Sequence, residues 1–304
     1  MKANKLFTVD SIATQHLLMG LPMPQHPLMS IARFEDSKGK TVDETGHFMN
    51  KFYSIAIKRK CTCHTIYGQQ YYNYDEGMMS FFAPDQLLSW TAEDEMPKEG
   101  WSISIHPDFL RGHPLEQKIK EYGFFHYTVN EALLLLPKEE KMIERILKNI
   151  YEEYHANIDN FSQDIILSHL SLLLSYANRF YNRQFITRKH TSSDLLIKLE
   201  SILTEYFNST QIEENGLPTV KYISDKLNLS PNYLSDLLRN LTGQNTQQHI
   251  HNKVIEKAKE MLASSNLTVS EIAYHLGFEY SQSFNKLFKS KTKITPLEFR
   301  GSFN

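Results

Sequence analysis

Cysteine is nearly absent. Of 304 residues only Cys61 and Cys63 are cysteines, too few to staple a chain of this length with disulfides. Long apolar runs are missing too. The oiliest stretch, Ile165 to Tyr176, is broken by Ser168, His169 and Ser171 and falls short of the ~20 residues that a membrane-spanning helix needs. The opening residues, Met1 to Asp10, hold no apolar signal core. No Gly-rich phosphate loop and no nucleophile elbow occurs, and residues 27 to 110 lack the His-x-His pattern of a metal-binding barrel. Positive charge is not in surplus either, the formal net charge being −2, so any affinity for nucleic acid has to be sought locally. These absences lead us to expect a soluble protein of the cytoplasm, without membrane association and without metal or cofactor.

One cluster, Cys61-Thr62-Cys63-His64, invites a metal reading. Structural zinc sites need at least two residues between paired cysteines and a second ligand pair. On a strand, Cys61 and Cys63 share a face and His64 points away. His249 and His251 have the same difficulty, because a two-residue step does not converge on a helix.

What is present divides into two patterns. At ~150 residues per domain the length predicts two domains, and hydrophobic residues at 41% are enough to build cores for both. Residues 27 to 106 read as short strands, among them Phe52–Ile57, Met79–Phe82 and Trp101–His106, punctuated by Gly68, Gly77, Pro84 and Gly100. This is the pattern of a sandwich or small barrel. The segment is crowded with aromatic rings, which either fill its core or line a cavity for a small ligand. Tyr53, Trp90, Trp101 and His106 are the candidates for such a pocket, although His106 also flanks the Pro107-Asp108 turn.

From Pro137 the period becomes helical. Ile143, Ile146, Leu147, Ile150 and Tyr154 recur at steps of three and four, and a second run follows with Ile165, Ile166, Leu170, Leu173, Leu174 and Ala177. Together they predict a helical hairpin over 137–187. Its surplus apolar surface either packs on the β-rich part or joins a second copy of the chain. Polar residues Arg188 to Ser193 read as a linker. The expected domains are therefore 1–136, 137–187 and 194–304.

The last of these contains a repeat. Thr219, Val220, Ile223 and Leu227 recur as Thr268, Val269, Ile272 and Leu276 at an offset of 49. One further residue of offset aligns Leu234 with Phe284, Leu237 with Leu287, Leu238 with Phe288 and Arg239 with Lys289. Each copy reads as a short helix capped by a Thr, a tight turn, and a second helix, with Gly277 at one turn and Pro231 at the start of one second helix. This is helix-turn-helix grammar, in which the second helix enters a DNA major groove.

The apolar stripe of each second helix leaves a polar side outward. In the first copy that side holds Asn232, Ser235, Asp236, Arg239 and Asn240; in the second it holds Ser281, Gln282, Asn285, Lys286 and Lys289. Asn and Gln pair with adenine edges, and Arg and Lys with guanine or phosphate. Asp236 repels phosphate, so it either accepts from a cytosine amine or orients a neighbouring Arg. From Arg239 onward nine basic residues stand against five acidic ones, a modest local excess. A polar helix over Thr246 to Leu262, about 25 Å long, separates the copies.

The runs Ile272-Ala273-Tyr274-His275-Leu276-Gly277-Phe278, Ser283-Phe284-Asn285-Lys286-Leu287-Phe288-Lys289 and Thr295-Pro296-Leu297-Glu298-Phe299-Arg300 resemble the signature of the AraC/XylS family over about residues 195 to 300. Two departures stand out: Lys293 occupies a place where the family usually has Gly, and Asn208 to Pro218 is an insert expected to lengthen a loop. The resemblance implies an α+β protein. Its N-terminal cupin-like β-barrel and helical hairpin precede an all-α domain with two helix-turn-helix motifs. It further implies a sequence-specific, effector-responsive transcription regulator and no enzyme. The partners expected are double-stranded promoter DNA, a small-molecule effector, a second copy of the chain and RNA polymerase. The rival reading is a small-molecule-binding or enzymatic cupin with a helical protein-interaction tail.

Overall fold

The computed structural model describes residues 6–39, 46–59, 66–67, 70–71, 77–90, 97–128, 131–157, 159–187 and 189–302. Its contacts divide the chain into two units, Met1–Gln184 and Phe185–Asn304. The first contains strand β1 (Leu6–Val9), helix α1 (Ile12–Leu18) and strands β2 (Met29–Arg33), β3 (Gly46–Asn50), β4 (Tyr53–Arg59), β5 (Ile66–Tyr67), β6 (Gln70–Tyr71), β7 (Met78–Phe82), β8 (Leu87–Trp90) and β9 (Glu99–Ile105). Helix α2 (Leu115–Glu121), strand β10 (Leu133–Leu134) and helix α3 (Pro137–His155) follow, and α4 (Ser162–Thr187) runs across the boundary. The strands form a three-stranded sheet β1-β3-β8, a five-stranded antiparallel sheet β10-β7-β4-β9-β2 and the ribbon β5-β6. Among the described residues no closed barrel is traced, and the unit is α+β around the antiparallel sheet.

Alternation gives that sheet two unlike faces. Tyr53, Ile55 and Ile57 of β4 pair with Ile105, Ile103 and Trp101 of β9, and directly opposed residues share a face. Met79 and Phe81 of β7 and Met29 and Ile31 of β2 extend the same apolar side. Helix α3 packs there with its predicted stripe, Ile143, Ile146, Leu147, Ile150 and Tyr154, all buried. Polar anchors fix its position. Trp101 Nε1 donates to Glu144 Oε2 at 3.1 Å, while Arg59 pairs with Glu144 at 2.9 Å and with Glu140. Helix α4 is tied to α3 by Arg183, which pairs with Glu139 at 2.7 Å and donates to the Leu134 carbonyl at 2.8 Å. Of the α4 apolar residues, Leu170, Leu173, Leu174 and Ala177 are fully buried, whereas Ile165 and Leu172, and Phe161 just before the helix, stay exposed.

The second unit is all helical: α5 (Lys189–Phe207), α6 (Gln211–Asn215), α7 (Val220–Leu227), α8 (Pro231–Thr242), α9 (Thr246–Ser264), α10 (Val269–His275), α11 (Ser281–Thr292) and α12 (Pro296–Gly301). One apolar cluster holds it together, with Leu199, Leu203, Ile223, Leu234, Leu238, Val254, Ile272, Phe284 and Phe288 at its centre. Two expectations change here. The polar residues Lys189 to Ser193, read as linker, open helix α5. The Asn208–Pro218 insert is no simple loop. Its helix α6 sends Ile212 into the core, and Tyr206 Oη donates to the Gly216 carbonyl at 2.9 Å. No helix among the described residues is long and apolar enough to cross a membrane.

Left-handed backbone closes the helix ends. Asn228 (φ 54) and Gly277 (φ 77) occupy matching places in the two repeats, as do Gly243 (φ 76) and Lys293 (φ 71). Gly277 is additionally pressed on Gly216, since a Cβ there would lie 2.8 Å from the Gly216 carbonyl carbon. We expect Gly277→Ala to destabilise the chain by more than about 2 kcal/mol, adding a steric clash to the ~1–2 kcal/mol of left-handed strain. Urea unfolding checks this, and a loss under ~0.5 kcal/mol would show that the two backbones can separate freely. Lys293→Gly is expected to stabilise by about 1 kcal/mol by relieving the same strain. An unchanged or lower urea midpoint would mean that the Lys293 side chain outweighs its own backbone.

Candidate nucleic-acid interface

Both repeats build the same device from local chemistry. In the first, Thr219 Oγ1 accepts from the Tyr222 amide at 3.1 Å and caps α7. Asn228 then turns the chain. Ser230 accepts from the Tyr233 amide at 3.2 Å, with Pro231 in the first turn of α8. In the second, Thr268 and Glu271 form a reciprocal capping box on α10. The Thr268 N–H and hydroxyl hold the Glu271 carboxyl below the usual carboxylate pKa. Gly277 makes the turn into α11.

The buried stripes of α8 and α11 set their outward sides. Tyr233, Leu234, Leu237 and Leu238 are buried in α8, and Phe284 and Phe288 in α11. Asn232, Arg239 and Asn240 of the first candidate set are exposed, but Ser235 and Asp236 are half-buried. Ser235 Oγ lies 3.1 Å from Oγ1 of the fully buried Thr246, so it joins α8 to the start of α9. Asp236 pairs with Arg239 at 2.6 Å, and its carbonyl accepts from Asn240 Nδ2 at 2.9 Å. This pair is the contact that the reading of Asp236 as orienting a neighbouring Arg requires.

The second set is freer. Gln282, Asn285, Lys286 and Lys289 are exposed, with Ser281 half-buried at the helix start. Exposed Ser283 and Tyr280, the latter 62% accessible, extend this surface; the apolar period alone did not single them out. Charge is divided unequally. On α8 the Asp236–Arg239 pair nearly cancels, whereas α11 presents Lys286, Lys289 and Lys291, the last donating to Asn252 Oδ1 of α9 at 3.0 Å. Some basic residues counted in the sequence are engaged elsewhere: Lys253 pairs with Glu200, and Arg300 donates to the carbonyls of Leu262 and Leu267 at 3.3 and 2.7 Å. Between the helix pairs α9 has 19 residues, about 28 Å at ~1.5 Å per residue.

The candidate effector residues fall elsewhere. Tyr53 and Trp101 are buried on the apolar sheet face, Tyr53 against Phe125 at 5.1 Å between ring centroids and Trp101 against Tyr151 at 5.3 Å. Trp90 is on β8, and its side chain lies outside the described residues. His106 caps the turn at Pro107, accepting from the Asp108 amide at 3.2 Å. An open cavity of about 300 Å³ beside His26, Phe109 and Tyr154 contains none of the four. Cys61, Cys63 and His64 lie outside the described residues. His249 and His251 turn to different partners, Thr242 and Gln247, each at 2.9 Å, and burial lowers the pKa of both.

Residues 223–302 match the family described as a helix-turn-helix domain. The chain is 30% identical over 148 residues to the HTH-type transcriptional regulator YfiF of Bacillus subtilis, covering 48% of this chain and 43% of that one. It is 24% identical over 257 residues to the HTH-type transcriptional activator RhaS of Salmonella dublin, covering 82% and 85%. Among solved structures, the C-terminal domain of the two-component response regulator yesN from Fusobacterium nucleatum is 33% identical, with a TM-score of 0.30, over 34% of this chain and 93% of that one. The chain spans 43% to 63% of the length of the first three curated relatives it matches. With its two helix-turn-helix units, the matched segment 223–302 is a helix-turn-helix domain of the AraC/XylS type, as in these transcriptional regulators.

Proposed function

We propose that the chain is an effector-responsive, sequence-specific transcription regulator of the cytoplasm that places α8 and α11 in successive major grooves of promoter DNA. The observation that carries this reading is the pair of capped helices, each with its apolar stripe in one shared core and a hydrogen-bonding side left to solvent. The α9 spacer of about 28 Å, together with part of each flanking helix pair, approaches the ~34 Å between groove turns on one DNA face. Modest bending of the duplex closes the difference. On this reading the β-rich unit is a cupin-like sensing domain, and RNA polymerase is the partner through which DNA binding changes transcription.

The test is a gel shift of the full chain on its own upstream region against scrambled duplex of equal length. Binding no tighter to the first than to the second overturns the proposal. Lys286→Ala is expected to weaken specific binding by ~1–3 kcal/mol while leaving scrambled duplex nearly unaffected, the mark of a base contact. Equal loss on both duplexes would assign Lys286 to phosphate, and no loss on either would remove α11 from the groove. Circular dichroism should show the variant folded.

A homodimer is part of the same proposal. Ile165 and Leu172 of α4, seven residues apart, and Phe161 in the turn just before it remain exposed, Phe161 at 68%, which gives this end of the helix an unpartnered apolar row. Leu172→Glu is expected to convert the dimer to monomer in sedimentation velocity. A wild-type chain that sediments as a monomer at high concentration would remove this element.

A further inference from the structure

The insert Asn208–Pro218 lies outside both candidate reading sets, yet it touches both helix pairs. Its helix α6 packs on α5 and on α10. Toward the first pair, Gln211 Oε1 accepts from Tyr222 Oη of α7 at 3.2 Å, and Leu217, Pro218 and Thr219 are all that separates Gly216 from the start of α7. Toward the second, Glu213 Oε1 lies 3.1 Å from Nδ1 of His275 in α10. Gly216 ends α6 and Gly277 follows α10, and there the two backbones meet with no side chain between them. A Cβ on Gly277 would lie 2.8 Å from the Gly216 carbonyl carbon and 2.9 Å from the Ile212 carbonyl oxygen; one on Gly216 would lie 3.2 Å from the Gly277 carbonyl oxygen. Both glycines have positive φ, 73° and 77°, so any other residue type at either place is strained.

These contacts differ in weight. The Glu213–His275 pair is about half exposed at both ends and contributes little alone. The glycine seat is steric, and it is anchored: Ile212, 5% exposed, belongs to the shared core, and Tyr206 Oη of α5 donates to the Gly216 carbonyl at 2.9 Å. The other restraints are softer. The apolar seam of α9 is non-directional and opposes a pivot of the helix pairs only weakly. Asn252 of α9 joins Gln244, after α8, to Lys291 of α11 at 2.7 and 3.0 Å, but through an exposed and flexible lysine. We propose that α6, seated through Gly216 on Gly277, clamps the two helix pairs into one rigid body and so restricts the chain to a single spacing between the two base-pair segments it reads. The effect on DNA rests on the two-groove reading; the clamp itself does not. One base pair added between the segments moves the second groove by ~3.4 Å and turns it by ~35°. A rigid pair then loses the contacts of one helix or has to deform the duplex.

The test uses the full chain on its footprinted upstream site, unaltered and with one base pair added or removed between the two protected segments. The wild-type chain is expected to lose about tenfold or more in affinity on either altered site, and Gly216→Ala, which wedges the seat open, no more than about threefold relative to its own unaltered site. A merely destabilised chain weakens on all three sites alike. Gln211→Ala combined with Glu213→Ala cuts both side-chain ties, spares the glycines and the core, and is expected to fall between. Spin labels introduced by Asp225→Cys in α7 and Ser290→Cys in α11, both exposed positions, read the clamp without DNA in a Cys61→Ser, Cys63→Ser chain. One narrow distance distribution is expected, broadened by Gly216→Ala. A distribution already broad without that substitution, or one that neither clamp variant broadens, overturns the clamp. Broadening with an unchanged spacing penalty overturns its role in specificity. A narrow distribution in a chain indifferent to spacing, or one that does not prefer its upstream region, leaves the clamp standing and sinks the two-groove reading.

Discussion

Ile250, Val254, Ala258 and Leu262 of α9 are each at most 2% exposed, and α8, α10, α11 and α12 all pack on that helix. Full burial of an aliphatic or aromatic side chain is worth ~1.5–3 kcal/mol, so the orientation of each helix pair follows from where its large residues find cover. Leu234 and Leu238 turn α8 inward; Phe284 and Phe288 do the same for α11. The hydrophilic sides of both helices are what remains. The second unit thus needs no special device to present two hydrophilic helix sides, because one spacer with an apolar seam determines both.

In the first unit the comparable constraint is electrostatic. Glu144 of α3 accepts from Trp101 and pairs with Arg59, which come from neighbouring strands β9 and β4. Arg59 is partly buried, and its two carboxylate partners hold its pKa above the ordinary value against the opposing effect of desolvation. Partly buried pairs of this kind contribute less to net stability than to geometry. They fix where along α3 the sheet is held, and Arg183 and Glu139 pass that register to α4. The helix bearing the exposed Ile165 and Leu172 is in this way linked by polar contacts to strands β4 and β9.

Much of this was legible in the residues, because the relevant forces are local. Thr caps, the Pro at a first turn and apolar steps of three and four act within a dozen residues, and the stripes of α3, α8 and α11 follow them closely. What escaped depends on distant partners. Nothing in Gln211–Asn215 announces a helix, since five residues cannot sustain one alone; Ile212 in the core and Gly216 against Gly277 hold it. Ser235 looked like any outward serine until Thr246 of the next helix met it. Strand pattern marked Tyr53 and Trp101 as pocket candidates but could not say that Phe125 packs on Tyr53 or that Tyr151 and Glu144 of α3 meet Trp101.

The uneven distribution of lysine between α8 and α11 has a consequence for encounter. Long-range attraction to a polyanion scales with local unbalanced charge and decays over ~8–10 Å at physiological salt. On the proposed reading, a duplex drifting toward the second unit is pulled chiefly at the α11 end, where Lys286, Lys289 and Lys291 stand, and less at α8, where Asp236 pairs with Arg239. If that reading holds, raising ionic strength screens the α11 end more than the α8 end.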